Sequence, residues 1–552
     1  MNDFSIALPS TQAEQYHAAG IWRDFGPVGD LRRWRDATPH AVAIRAFRAG
    51  APPRYISYDE YARYVERFAG ALYELGVRPG QVVAVQLPNW WQAGALILAT
   101  ARLGAVLAPI MTTVRSRELG RVLERLDATV CISVGHWAGF DHTAALREIA
   151  PRLPHLHHRV ILGGQATDHE IDFSSFFEDT AWEQHHPVRL DDTEEHPDRV
   201  AVVYFTSGTS GEPKGALHTS NTIYAGLAAM TTAERISHRD VAFTPHALMH
   251  LMGQINLLIP LLTGGCTVLL DSWSGERGLT LLAETDTTIF MAAPAFYYDL
   301  IAAAGGERQD LRALRMPLTG VTTVPRQLVP EAHHVLGVPL RAAWGMTEVG
   351  IVTWTRGDDR ADWAAQSDGR PSPMVELDLR STTEITREQP ARLFVRGPAV
   401  CVATLGRDSP GVTVIAEHND GWYDTGDLVI PDGEGGIRVV GRVSDRIGGM
   451  SMIPVSDVED QLRGHPRIGD AALVGYPDGR GGELACAVIV STGFPAMTLH
   501  ELRAYLLDQG MTDRYIPSKL AHVPSLPRND NGKVRKELLR RWLQGEAELS
   551  GE

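Results

Sequence analysis

Between Ser57 and Ser133 short apolar runs alternate with longer helical stretches, and that alternation leaves the chain few architectures. Ser57, with Glu60 three residues on, has the form of a capping box, and Tyr61, Val65, Phe68, Ala69 and Leu72 follow at helical spacing up to Gly76. Gln81–Asn89 reads as a strand entering a turn, Trp91–Leu103 as an apolar helix stopped by Gly104, and Ala105–Ile110 as a second strand. A helix through Glu118–Leu126 and a strand at Ala128–Ser133 complete the series. Strands joined by helical crossovers lie parallel, so the fold class is α/β, with sheets wrapped by helices. Cys266–Leu270, Thr287–Pro294 and Leu314–Pro325 bring further strands, whereas 375–440 turns β-rich.

A second stretch carries chemistry. Tyr204–Thr219 begins in an apolar run, Ala201–Phe205, that reads as a buried strand. A loop of Thr206, Ser207, Gly208, Thr209, Ser210 and Gly211 follows, closed by Pro213, Lys214 and Gly215. Glycines let backbone N–H groups converge on one anion, hydroxyls add donors, and the lysine supplies a compact positive charge. The loop therefore reads as a polyphosphate cradle. It is not the Walker loop, because Pro213 precedes the lysine and Gly215 follows it. A helix from about Ser220 to Ala233 comes next.

A chain of 552 residues exceeds what a single core of ~250–300 residues usually holds. The formal charge of −15 argues against a general nucleic-acid surface, so an anionic substrate must be held by a local site. The four cysteines lie far apart with no CxxC pair, which implies reduced thiols in a cytoplasmic protein. The N-terminus lacks the basic start and apolar core of a signal peptide. The apolar stretches near Ala93–Met111 and Ile255–Leu270 are broken by Arg102, Pro109, Pro260 and Gly264–Gly265, so no membrane span is expected. Residues 164–199 are polar, acidic and rich in His and read as a solvated connection. His246 and His250 could share a helical face, but the Glu and third ligand of a zinc-protease site are missing.

Five motifs in order give the chain its resemblance: TSGTSGEPKG (206–215), WGMTE (344–348), YDTGDL (423–428), GRVSDR (441–446) and NGK (531–533). Together they resemble the adenylate-forming superfamily of acyl-CoA synthetases, peptide-synthetase adenylation domains and luciferases. The opening YHAAGIWRD (16–24) is similar to the members that activate aryl or cyclic acids. The resemblance implies a large N-terminal domain, 1–441, of parallel-rich αβ sheets plus a β-rich subdomain, and a small α+β C-terminal lid, 442–552. It implies ATP and Mg²⁺ as cofactors. A carboxylate attacks the α-phosphate to give an acyl-adenylate and pyrophosphate, and a nucleophile then takes the acyl group. By this resemblance Thr206, Ser207, Gly208, Thr209, Ser210, Gly211 and Lys214 would hold the β- and γ-phosphates. Trp344 (usually Tyr) and Gly345 would face adenine, Thr347 would sit near the phosphate, and Glu348 would bind Mg²⁺, a hard cation suited to oxygen. Asp427 would accept from both ribose hydroxyls, and Arg442 would donate to the ribose. Lys533 would neutralise charge developing at the α-phosphate, help of a kind worth ~3–4 kcal/mol for one donor. His250, Gly320, Val321, Thr322 and Met346 would border the acid.

The chain departs from the pattern at the lid hinge, where Ser444 stands in place of the usual Asp or Lys, and in the next loop, which is about two residues short by the resemblance. In TGVTT (319–323), Val321 and two threonines replace small residues and Pro. The first activity implied is an AMP-forming ligase of secondary metabolism that passes an aromatic or cyclic acid to a thiol, CoA above all. The second transfers the acyl group to an amine without CoA, or activates nitrite to give a diazo product. The third is a non-catalytic nucleotide-binding protein, which has no evident need for both Lys533 and Glu348.

Overall fold

The computed structural model describes residues 10–546 except 186–194, 207–213, 322–323, 387–389, 407–410, 443–446, 448–452, 454, 480–481, 493–494, 528–533 and 535. Two sheets of nine strands dominate the described residues. At the centre of the first, β1 (Val82–Gln86) lies parallel to β2 (Val106–Pro109) and β3 (Val130–Val134), with helix α1 (Trp91–Arg102) as the crossover between β1 and β2. β4 (Val200–Thr206) continues the parallel set beside β2, and β5 (Lys214–Thr219) returns antiparallel to it. Helix α2 (Ser220–Ala233) follows, capped by Thr219, whose side chain accepts from the Thr222 backbone N–H.

The second sheet is built from β6 (Val241–Phe243), β7 (Cys266–Leu270), β8 (Ile289–Ala292), β9 (Met316–Thr319) and β10 (Arg341–Met346), in the order 7-6-8-9-10 and all parallel. Helix α3 (Leu251–Thr263) connects β6 to β7, and β11 (Gly350–Trp354) turns back antiparallel to β10. The main core lies between the sheets: Val83, Val85 and Val202 from the first meet Met291, Met316 and Leu318 from the second around α1 and α3. Eleven of the twelve residues of α1 are buried, as an apolar helix flanked on both sides must be. Arg102, which interrupts that apolar run, is itself 2% exposed and is held by Glu66 through two hydrogen bonds of 2.5 and 2.8 Å.

An antiparallel sheet completes the large lobe, pairing Glu376–Arg380, Ala391–Arg396, β12 (Tyr423–Pro431) and β13 (Ile437–Arg442). The smaller, α+β C-terminal domain, the expected lid, has helix α4 (Val455–Arg463), strands β14 (Ile468–Pro477) and β15 (Glu483–Ser491), helix α5 (Leu499–Asp508) and strand β16 (Lys519–His522). It stands on the large lobe through a short segment. The Thr512 hydroxyl donates to Glu118 at 2.9 Å, and Asp513 pairs with Arg115 at 2.7 Å. The architecture is the α/β fold that the strand–helix alternation implies, with the smaller C-terminal domain that the resemblance implies.

Three local expectations change. Residues 171–185 are not a solvated connection: one π-helical turn, Ser174–Glu178, stacks Phe173 on Phe177 at 4.7 Å, and both bury against Phe68. Ser57 caps its helix through the Glu60 N–H, but the Glu60 carboxylate turns to Arg54 at 3.3 Å. His246 and His250 share no helical face, since His250 is the N-cap of α3 and His246 lies in the loop before it. Among the described residues no helix is long and apolar enough to cross a membrane, and all four cysteines are free and buried.

Candidate active site

Ligands of open α/β sheets bind beyond the carboxyl ends of the strands, and the motif residues gather there. β4 and β5 form a hairpin whose stem pairs Thr206 with Lys214. Lys214 is therefore the first residue of a strand. Lys214 Nζ donates to the Tyr423 hydroxyl at 2.7 Å, and that hydroxyl donates to Glu348 Oε1 at 3.1 Å. Lys214 Nζ itself lies 3.8 Å from Glu348 Oε1. A cation, a phenol and a carboxylate from three separate motifs thus share one spot, and Glu348 is 3% exposed.

Glu348 sits in the turn 347–349 between β10 and β11. The turn is pinned twice, since Cys401 N donates to the Glu348 carbonyl at 2.8 Å and His218 Nε2 lies 2.7 Å from the Thr347 carbonyl. Gly345 permits the close approach of the strands, because a Cβ there would stand 2.1 Å from the Gly350 oxygen. Beside the turn, Trp344 Nε1 donates to Asp427 Oδ2 at 2.9 Å, and Asp427 faces Arg442 across the β12–β13 ladder. Asp427 is fully buried, and Trp344 is 7% exposed.

The residues expected beside the acid lie at the end of β9, the start of α3 and the end of β10. Gly320 follows β9 and packs so closely that a Cβ would lie 2.5 Å from the Ala343 oxygen. Val321 adopts φ +73°, a left-handed conformation that a β-branched residue resists; strain of this kind collects at functional sites. His250 caps α3, its Nδ1 accepting from Met252 N at 3.2 Å, and burial with the charge of Arg514 holds its pKa down at about 4. Met346 ends β10 opposite Gly350. A small cavity opens between α2 and α3, lined by Gly350, Ile351, Leu251, Ile255 and His218. A second cavity shares Ile223 and Leu227 with it. The predicted Ser207, Gly208, Thr209, Ser210, Gly211, Thr322, Ser444 and Lys533 lie outside the described residues. Sequence reasoning did not single out Tyr423 or His218. Tyr423 opens the YDTGDL motif, whereas His218 left only one trace, a polar residue directly after the apolar pair Ala216–Leu217.

The AMP-binding enzyme family matches residues 31–403, and its C-terminal domain matches 457–533. The chain belongs to the AMP-binding enzyme family. It is 30% identical to the medium-chain fatty-acid–CoA ligase of Escherichia coli (strain K12) over 537 residues, which cover 95% of this chain and 92% of that one. It is 29% identical to the 2,3-dihydroxybenzoate-AMP ligase of Bacillus subtilis (strain 168) over 539 residues, 96% of each chain. Among solved structures it is similar to the amide bond synthetase McbA from Marinactinospora thermotolerans, with a TM-score of 0.79 and 26% identity over 94% of this chain and 99% of that one. The chain is accordingly an AMP-forming acid ligase of the adenylate-forming superfamily. It uses ATP to adenylate an acid.

Proposed function

We propose that this ligase activates a small aromatic or cyclic carboxylic acid with Mg·ATP and passes the acyl group to a thiol, CoA above all. The observation that carries this reading is the meeting of Lys214, Tyr423 and Glu348 within 3.8 Å, at the stem of the cradle. Lys214 is set to exchange its protein partners for the β- and γ-phosphates. Glu348 supplies one carboxylate oxygen to Mg²⁺; among the described residues no group of three or more His, Cys, Asp and Glu could hold a resident metal. Mg²⁺ is commonly bound by one or two carboxylates plus substrate phosphates. Trp344 lies along adenine, Asp427 and Arg442 take the ribose, and Lys533 comes from a lid that begins at 442 and turns about Ser444. His250, Val321, Thr322 and the cavity beside Gly350 receive the acid. Catalysis on this reading is positioning and charge stabilisation, with no covalent intermediate on the protein.

A second reading keeps the adenylation and changes the acceptor to an amine. The likeness to McbA favours it, as does the short loop after Asp445.

ATP–pyrophosphate exchange with ring acids, with and without an alkyl tail, tests the first half-reaction; no exchange with any acid sinks it. Product analysis with CoA, with amines and with neither separates the acceptors, and turnover with an amine in the absence of CoA overturns the thioester reading. Lys533→Ala is expected to abolish exchange while nucleotide binding persists.

A further inference from the structure

His218 lies on β5, four residues beyond Lys214, and is 1% exposed. Its Nε2 is 2.7 Å from the Thr347 carbonyl oxygen, which can only accept, so Nε2 carries the hydrogen. Burial lowers the pKa to about 4 and the ring is neutral at pH 7, which leaves Nδ1 to accept from the Thr222 hydroxyl, 2.9 Å away. The tautomer is thereby fixed from both ends. Thr222 also makes the capping box of α2 with Thr219. A chain of polar contacts therefore runs from the start of α2 through one imidazole to the turn bearing Glu348. The other support of that turn, Cys401 N to the Glu348 carbonyl, is backbone to backbone. His218 ties the backbone of that turn, at the Thr347 carbonyl, to the strand of Lys214.

We propose that His218 is a positioning residue for the Mg·ATP site, holding the Thr347–Glu348 peptide so that Glu348 meets the metal at a fixed distance from Lys214. The proposal rests on the reading of Glu348 as the Mg²⁺ contact. It does not depend on which acid is activated.

The test compares three full-length proteins. His218→Phe keeps the ring volume and loses both nitrogens, and His218→Gln returns a donor near the position of Nε2. Calorimetric binding of Mg·ATP without acid, repeated across a Mg²⁺ series, is the readout, and the thermal midpoint checks folding. Expected is about a ten-fold weaker Kd and a raised Mg²⁺ requirement in His218→Phe, with His218→Gln within about three-fold of the parent, the scale of one buried hydrogen bond. Unchanged binding in His218→Phe overturns the proposal. So does a His218→Gln variant as weak as His218→Phe, because the ring would then matter for packing alone. Should no acid support pyrophosphate exchange while the nucleotide-binding pattern holds, the acid-activation reading fails and the role of His218 stands.

Discussion

At Tyr423 one hydroxyl serves two charged partners, accepting from Lys214 and donating to Glu348. Tyr423→Phe leaves the ring in its apolar surroundings and takes a donor from a carboxylate that is 3% exposed. A hydrogen bond to a charged group contributes about 1.5–3 kcal/mol, so the variant is expected to lose that much in urea unfolding without nucleotide; a loss below about 0.5 kcal/mol would mean that Lys214 alone satisfies Glu348. Residue roles were only partly legible in the sequence. Lys214, Glu348, Trp344 and Asp427 stand inside motifs, and the structure brings the first two together and the last two together. Tyr423 was invisible as a bridge, because a phenol at a strand start reads the same whether it packs or donates. His218 was invisible for a different reason: its partner is a backbone carbonyl 129 positions away, and carbonyls leave no mark in a sequence.

The elements were far easier to read. Periodicity gave α2 at its observed bounds, and the apolar run before the cradle is β4 to within a residue at each end. What periodicity missed is the turn at 174–178, since Phe173 and Phe177 sit in polar surroundings and acquire meaning only against Phe68. Helix α2 also carries a testable weakness. Gly226 lies in its interior beside the cavity between α2 and α3, and a Cβ there would meet nothing closer than Ala399 Cβ at 3.8 Å. Glycine inside a helix costs roughly 0.8–1 kcal/mol relative to alanine, so Gly226→Ala is expected to raise unfolding stability by about 1 kcal/mol. If that cavity takes the acid, the added methyl also weakens binding of the bulkiest acids first. Equal loss for all acids in exchange assays would remove the cavity from the acid site.

Across the whole molecule, burial lowers the pKa of His142 and His218 to about 4 and of His246 to about 3. A depressed histidine contributes stability that is complete above about pH 6.5, the unfolded value, and is lost as the pH falls toward the folded value. Protons bind the unfolded chain first over that window. His246 is the cleanest probe, because both its ring nitrogens are buried without a hydrogen-bond partner among the described residues. His246→Leu is expected to flatten the fall in unfolding free energy between pH 6.5 and 4 by up to about 1.4 kcal/mol per pH unit, and parallel curves for variant and parent would contradict it. The other feature at this scale is the footing of the lid. Among its described ties, Arg115–Asp513 has an acid that is 57% exposed, while the second, Thr512–Glu118, is buried. Dissolved ions screen the first within a Debye length of about 8–10 Å and scarcely reach the second. Ionic strength thus acts as a selective solvent that slackens the exposed bolt of the door while the buried one holds.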